Sequence, residues 1–150
     1  MCVKDRGQVV GYATLIPVDE SVMFPLMKDT MREKDIPLKA IRQWTEPNLT
    51  VYIASVTVKS SGDTNTDRAR GSFLIRNTIK WALSLNRQFS IKKWFGIGAT
   101  PEGQRLLEGL GFNEVFSVHN GERKGYTVDD IRSPVRLFSV FLKQMEEQTK

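Results

Sequence analysis

Cysteine and histidine are nearly absent from this 150-residue sequence. The single cysteine, Cys2, excludes an internal disulfide, and such cysteine usage fits a reducing cytoplasm. The single histidine, His119, is followed by Asn120 and Gly121, which makes it most simply a turn residue rather than a catalytic base. With one residue of each kind, the sequence offers no ligand set for a zinc site, and we expect no metal.

Long apolar runs are also lacking, so the sequence predicts no membrane span, and no signal peptide is recognisable. The length suits one domain with a hydrophobic core of its own. The net charge of +5 favours an acidic ligand, and it equally permits nucleic acid or an acidic protein. The basic residues are not interleaved with exposed aromatic residues, so nucleic acid is the least favoured of these partners.

Residues 49–85 predict a strand, a polar loop and a helix, in that order. Residues 49–58 are dense in β-branched and aromatic residues, which is typical of a strand in the middle of a sheet. Residues 59–66 are rich in turn-forming residues, and residues 73–85 have helical spacing without glycine or proline. The two arginines and the glycine within residues 68–72 would bring guanidinium groups and free backbone N–H groups together, which suits a phosphate-bearing ligand. The alternative is an ordinary capped helix beside a solvated charge pair.

A second strand and helix follow the first. Residues 91–98 predict a strand, Thr100 is a good N-cap, and Pro101 fits the first helical position. Gly111 can close this helix in left-handed geometry, and residues 112–118 then read as a further strand. The buried stripe of the helix would consist of Leu106, Leu107 and Leu110.

The remaining segments add strands at the start of the chain and helices in two places. Residues 19–47 connect the second strand to the central one and predict a broken helix and a second short one. Residues 135–145 predict a strongly amphipathic helix that packs on the sheet or presents its apolar face to a partner. The other predicted strands are residues 2–4, 8–18, 115–118 and 126–128.

The run Arg68-Ala69-Arg70-Gly71 after a central strand, together with residues 99–112, resembles the two core motifs of the GNAT superfamily of N-acetyltransferases. The resemblance covers roughly residues 8–118 and implies an α/β (α+β) fold, with a mixed, mostly antiparallel central sheet flanked by helices, in a single acyltransferase-like domain over residues 1–150. The strand and two helices that usually come first in this superfamily are missing. Either the chain is a piece of a longer protein, or a later element or a second subunit, as in a homodimer, takes their place.

The resemblance also implies acetyl-CoA, or another acyl-CoA, as co-substrate. The central strand would splay from its neighbour, the pantetheine arm would pair with the strand, and the pyrophosphate would sit on the following loop. Phe73 stands where the superfamily pattern has a small residue, so the loop is a degenerate version of that pattern. The implied cofactor-binding residues are Ser55, Val56, Val58, Arg68, Arg70, Gly71 and Ser72.

A general base and a general acid are harder to place. The central strand contains no carboxylate, and residues 99–116 contain no tyrosine. By residue type and order, Glu46 is the candidate base and Tyr126 the candidate acid, with Tyr52 as the alternative acid. The implied function is acetyl-CoA-dependent N-acetylation of a small-molecule or protein amine in the cytoplasm. The alternative is a catalytically inactive GNAT-like binding or regulatory module.

Overall fold

The computed structural model describes residues 1–129 and, beyond them, residues 131, 143 and 147. Apart from residue 143, the predicted helix over residues 135–145 lies outside the described residues. The α-helices of the described part are α1 (Met23–Met27), α2 (Thr64–Gln88) and α3 (Pro101–Gly109). Its strands are β1 (Cys2–Asp5), β2 (Gln8–Val18), β3 (Leu49–Val58), β4 (Ile91–Gly98), β5 (Asn113–Val118) and β6 (Arg123–Val128).

The six strands form one sheet in the order β1-β2-β3-β4-β6-β5. Strands β3 and β4 are parallel, because α2 connects them as a crossover, and every other neighbouring pair is antiparallel. The predicted α+β class, with a mixed and mostly antiparallel sheet flanked by helices, is therefore confirmed. Strand β3 lies inside the sheet, as its continuous apolar sequence predicts.

Each face of the sheet has its own hydrophobic core. Helices α2 and α3 cover one face, where Val51, Leu83 and Trp94 are buried. Residues 19–48 cover part of the other face, where the buried rings of Tyr52 and Phe95 stack with centroids 4.7 Å apart. This connecting segment contributes Val22, Met23, Leu26 and Met27 to the second core.

Helix α2 begins earlier than its sequence suggests. The predicted loop over residues 59–66 is too long, because Asp63 acts as N-cap and the helix starts at Thr64. The carboxylate of Asp63 accepts a hydrogen bond from the backbone N–H of Thr66 at 3.2 Å. This bond satisfies one of the N–H groups that a helix leaves unpaired in its first turn.

Helix α3 has the ends that its sequence predicts. The hydroxyl of Thr100 accepts a hydrogen bond from the N–H of Gly103 at 3.1 Å, and Pro101 occupies the first turn. Gly111 has a φ of 83°, in the left-handed region that favours glycine after a helix. His119 is likewise confirmed as an exposed turn residue, with a φ of 54°.

Close packing of α3 on β4 predicts the effect of a methyl group at Gly98. A Cβ there would lie 3.0 Å from the Cα and 3.1 Å from the N of Gln104, so the backbone of α3 would have to move. We expect Gly98→Ala to lower the free energy of unfolding by about 1–3 kcal/mol in urea titrations, as overpacking does. Gly109→Ala is the control, because a Cβ there meets nothing within 4 Å. A similar loss in both variants would contradict this packing.

Candidate functional site

Strands β3 and β4 separate at their carboxyl ends. They pair only as far as Ile53 and Gly96, although β3 continues to Val58 and β4 to Gly98. Beyond this point β3 remains paired with β2, and β4 remains paired with β6. The side of residues 54–58 that faces β4 therefore has no partner among the described strands, which leaves its backbone donors and acceptors available to bind another group.

A β-bulge lies at the point of separation. Ser55 is opposite Thr14 and Ile53 is opposite Leu15, so Ala54 is an extra residue on β3. A bulge bends its strand and increases the local twist, and bulges are common beside active sites. The bulge gives a physical reason for β3 to turn away from β4 while it stays attached to β2.

The pairing with β2 fixes which main-chain groups face the gap. The N–H of Lys59 donates to the carbonyl oxygen of Val10 at 2.7 Å. Main-chain groups alternate between the two sides of a strand, so those of Thr57 also face β2. Those of Val56 and Val58 consequently face the gap.

The gap opens into a groove of about 750 Å³ between the sheet, α2 and α3. Asp67 and Gly71 of α2 and Val58 of β3 line the end near the carboxyl ends of the strands, which we call the mouth. At the other end, which we call the inner end, the groove lies over the paired part of the sheet. The described side chains there are mostly apolar: Ile79, Ala82, Trp94, Leu110, Phe112 and Ile131. Two polar groups accompany them, the hydroxyl of Thr78, which donates to the carbonyl oxygen of Leu74 at 2.7 Å, and the buried indole N–H of Trp94, which has no hydrogen-bond partner among the described residues.

Two carboxylates line the groove, and our sequence analysis assigned neither of them to the site. Asp67 and Glu102 are the ionisable residues of its described lining, and they lie in the first turns of α2 and α3. Asp67 could have been found from its spacing, because it precedes Gly71 by four residues and so shares its helix face. Glu102 is exposed, and its Oε1 is 3.5 Å from Nη2 of Arg105.

The Asp67 carboxylate is already hydrogen-bonded by the preceding loop. It accepts from the N–H of Ser61 at 2.8 Å, the hydroxyl of Ser61 at 2.7 Å and the hydroxyl of Ser60 at 3.2 Å. The bonds from Ser61 hold the pKa of Asp67 below its usual value. Asp67 thus stays ionised and acts as a fixed negative charge at the mouth.

The predicted cofactor residues divide into two groups. Because α2 starts at Thr64, residues 68–73 lie inside the helix, where each N–H bonds to the carbonyl four residues earlier. The expectation of free backbone N–H groups there is therefore wrong. The residues that do line the groove are Ser55, Val56, Val58 and Gly71, and those that do not are Arg68, Arg70 and Ser72.

Several of the charges around the start of α2 are paired within the chain, and one is exposed. Nη2 of Arg70 is 3.0 Å from Oδ2 of Asp5 on β1, and Arg68 is exposed to solvent. Hydrogen bonds from Thr66 lower the pKa of Asp63, which occupies the helix N-terminus. A carboxylate therefore already occupies the position where the helix dipole would favour a bound phosphate.

The predicted catalytic residues lie away from the groove. Glu46 precedes β3 at the opposite end of that strand, lines a separate pocket of about 280 Å³, and accepts from the N–H of Gln43 at 2.6 Å. The hydroxyl of the buried Tyr126 donates to Glu108 at 2.7 Å, and burial raises the pKa of Tyr126. Neither residue is among those that line the groove, because the order of residues in the chain says little about their positions in the fold.

The alternative acid, Tyr52, is also bonded elsewhere. It is buried in the core that residues 19–48 cover, and its hydroxyl donates to Glu33 at 2.9 Å. Burial is the main cause that raises its pKa. Tyr52 is not among the residues that line the groove.

No protein-family model matches the chain, and no curated protein matches it either. In the part of the chain that the structure describes, none of the helices has the length and apolar character needed to cross a membrane. The same part contains no cluster of three or more His, Cys, Asp or Glu residues placed to hold a metal ion.

The Asp67 network predicts a loss of stability in acid. Because the pKa of Asp67 is below the usual value of about 3.9, the unfolded state binds more protons than the folded state as the pH falls through this range. The contribution of the ionised Asp67 to the free energy of unfolding is complete above about pH 4. This contribution is lost as the pH falls through the folded-state pKa of Asp67. In urea unfolding, we expect Asp67→Asn to lose less stability on acidification than the wild type. Ser61→Ala should act in the same direction, and an unchanged pH profile in both variants would contradict the network.

Proposed function

We propose that the protein is an acyl-CoA-dependent N-acyltransferase of the GNAT type, which transfers an acetyl or other acyl group to an amine. The observation that carries the proposal is the separation of β3 from β4 beyond Ile53 and Gly96, with a groove at the gap. In the superfamily that the sequence resembles, acetyl-CoA enters such a gap beside the central strand. The mostly antiparallel sheet, with its one parallel pair at the gap, supports the same proposal.

The gap suits a thin chain that contains amide groups. Extended chains bind to free strand edges through main-chain hydrogen bonds, while neighbouring pockets select their side groups. Val56 and Val58 direct donors and acceptors into the gap, and the amides of a pantetheine arm supply the complementary groups. Apolar side chains on α2 and α3 would shield these bonds from water, which strengthens them.

The chemistry would be an acyl transfer at the thioester carbonyl. A base removes a proton from the amine, the nitrogen attacks the carbonyl carbon, and the C–S bond breaks as the amide forms. The thiolate of CoA then takes up a proton. A backbone N–H of β3 near the bulge would stabilise the oxyanion of the tetrahedral intermediate.

Glu102 is the better placed of the two groove carboxylates to act as the base. The serines of the preceding loop hold the carboxylate of Asp67, whereas Glu102 is exposed and faces Arg105 at 3.5 Å. A carboxylate can remove the proton directly or through a water molecule. In this proposal Glu102 replaces Glu46 as the candidate general base.

A second candidate function, a binding or regulatory module without turnover, is favoured by the charges at the mouth. Asp63 and Asp67 lie where the diphosphate of CoA would approach the start of α2, and Arg70 is paired with Asp5. Phe73, with 55% of its surface exposed, adds a large ring on the outside of the same helix. Such a module would keep the groove and lack the transfer reaction.

The same proposal includes the acceptor and the cellular location of the protein. The acceptor in this proposal is a small-molecule or protein amine, because the acyl group moves from the sulfur of the thioester to a nitrogen atom. The single cysteine supports a cytoplasmic location.

Calorimetric titration with acetyl-CoA and CoA tests the groove. Gly71 lines the groove and a Cβ there meets nothing within 4 Å, so a side chain can start at this position, and Gly71→Leu should narrow the mouth. We expect micromolar binding that Gly71→Leu weakens by about tenfold or more, equivalent to about 1.4 kcal/mol. Ser72→Leu is the matched control, because Ser72 is exposed on the same helix and lies outside the groove. Equal weakening in the two variants would count against binding in the groove.

Release of free CoA thiol in the presence of amines separates the two candidate functions. For an enzyme, we expect Glu102→Gln to lower kcat by about 10²–10⁴-fold, the usual contribution of a general base, with little change in the Kd for acetyl-CoA. Glu122→Gln is the control, because Glu122 is exposed and lies outside the groove. Tight binding of acetyl-CoA without turnover by the wild type would favour the binding module.

A further inference from the structure

The groove does not end where the strands rejoin. On β4 its lining begins at Trp94, two residues before the last paired residue, Gly96. At about 3.3 Å per residue, the groove extends roughly 7 Å beyond the gap, over the paired part of the sheet. Leu110 and Phe112, at the carboxyl end of α3, also line this part.

The inner end has no described group that would bind a polar ligand by charge. Asp67 and Glu102, the ionisable residues of the described lining, lie in the first turns of the helices, at the opposite end of the groove. Ile75, Ala82 and Leu106 are only partly buried, so they present apolar surface to whatever enters. The chemistry of the inner end is therefore that of a site for an aliphatic chain.

The direction in which a ligand enters decides which of its parts reaches this end. A charged nucleotide stays at the solvent-exposed mouth, and the arm runs along the gap-facing groups of Val58 and Val56 toward the bulge at Ala54. The acyl group is the last part of the molecule and so lies farthest in.

We propose that the inner end of the groove binds the aliphatic acyl chain of an acyl-CoA longer than acetyl-CoA. This inference depends on the proposed function, because it assumes that an acyl-CoA occupies the gap. An extended chain advances about 1.3 Å for each C–C bond of about 1.5 Å, so about 7 Å accommodates roughly five carbon–carbon bonds. The structure thus favours acyl groups of about six carbons over acetyl.

Chain-length dependence of binding tests the proposal on the wild-type protein. We would titrate acetyl-, butyryl-, hexanoyl- and decanoyl-CoA by calorimetry. Burial of a methylene group contributes about 0.8 kcal/mol, so Kd should fall by up to about fourfold for each added methylene group as far as hexanoyl-CoA. Beyond that length, the gain per methylene should disappear. Equal affinity for acetyl- and hexanoyl-CoA would overturn the proposal and leave the proposed function in place, whereas a complete lack of acyl-CoA binding would overturn both.

Variants locate the chain within the groove. Ala82→Leu fills part of the inner end, so we expect it to remove most of the gain between butyryl- and hexanoyl-CoA while the Kd for acetyl-CoA stays unchanged. Ala69→Leu is the matched control, because Ala69 is an exposed residue of the same helix outside the groove. Ala82→Val is a smaller change for the case that leucine impairs folding. An unaltered chain-length profile in a folded Ala82 variant would overturn the assignment of the chain to this end.

Free hexanoate distinguishes an acyl-CoA site from a fatty-acid site. Both ligands have the same aliphatic chain, but only the thioester carries the arm that pairs with β3. We expect hexanoate to bind at least about a hundredfold more weakly than hexanoyl-CoA, a difference of about 2.7 kcal/mol. Hexanoate binding as tight as that of hexanoyl-CoA would overturn the acyl-CoA assignment.

Discussion

The structure depends on a strand that is hydrogen-bonded on both sides for half of its length and on one side for the rest. As far as Ile53, β3 has a partner in both β2 and β4, and its apolar side chains join the cores on the two faces of the sheet. Beyond the extra residue Ala54, β2 is the one partner that β3 keeps among the described strands. The gap lies at this change of pairing, and the groove opens beside it, between the sheet and the two helices α2 and α3 on one face.

Helices α2 and α3 and the connecting residues 19–48 pack on different faces of the sheet and stabilise different ends of it. Helices α2 and α3 begin near the carboxyl ends of β3 and β4, so their first turns frame the mouth of the groove. Residues 19–48 cover the opposite face near Tyr52 and Phe95 and leave the region of Tyr12 exposed. The sheet is thus packed on both faces at one end, whereas at the other end the groove opens on one face and Tyr12 is exposed on the opposite face.

The elements with local signals could be predicted from the sequence, and those that depend on distant partners could not. Thr100 and Pro101 mark the start of α3 by themselves, and the continuous apolar sequence of β3 places it inside a sheet. The bulge at Ala54 is a matter of register with Leu15 and Thr14, which no local pattern reveals. The start of α2 was missed because Asp63 lies in a stretch whose serines and glycine also favour a loop. Glu46 was assigned by its order before β3, but that order places it at the wrong end of the strand.

An unpaired strand edge inside a sheet behaves differently from one at its border. A border edge can recruit a strand from another molecule, and that strand exposes a new edge, so the sheet can grow into an aggregate. The free side of residues 54–58 belongs to a strand inside the sheet, and β4, which continues two residues past the last pair, bounds the start of the gap. This edge can therefore bind a single slender molecule, but it cannot recruit further strands. A protein can for this reason keep unpaired backbone N–H and C=O groups in the middle of its sheet.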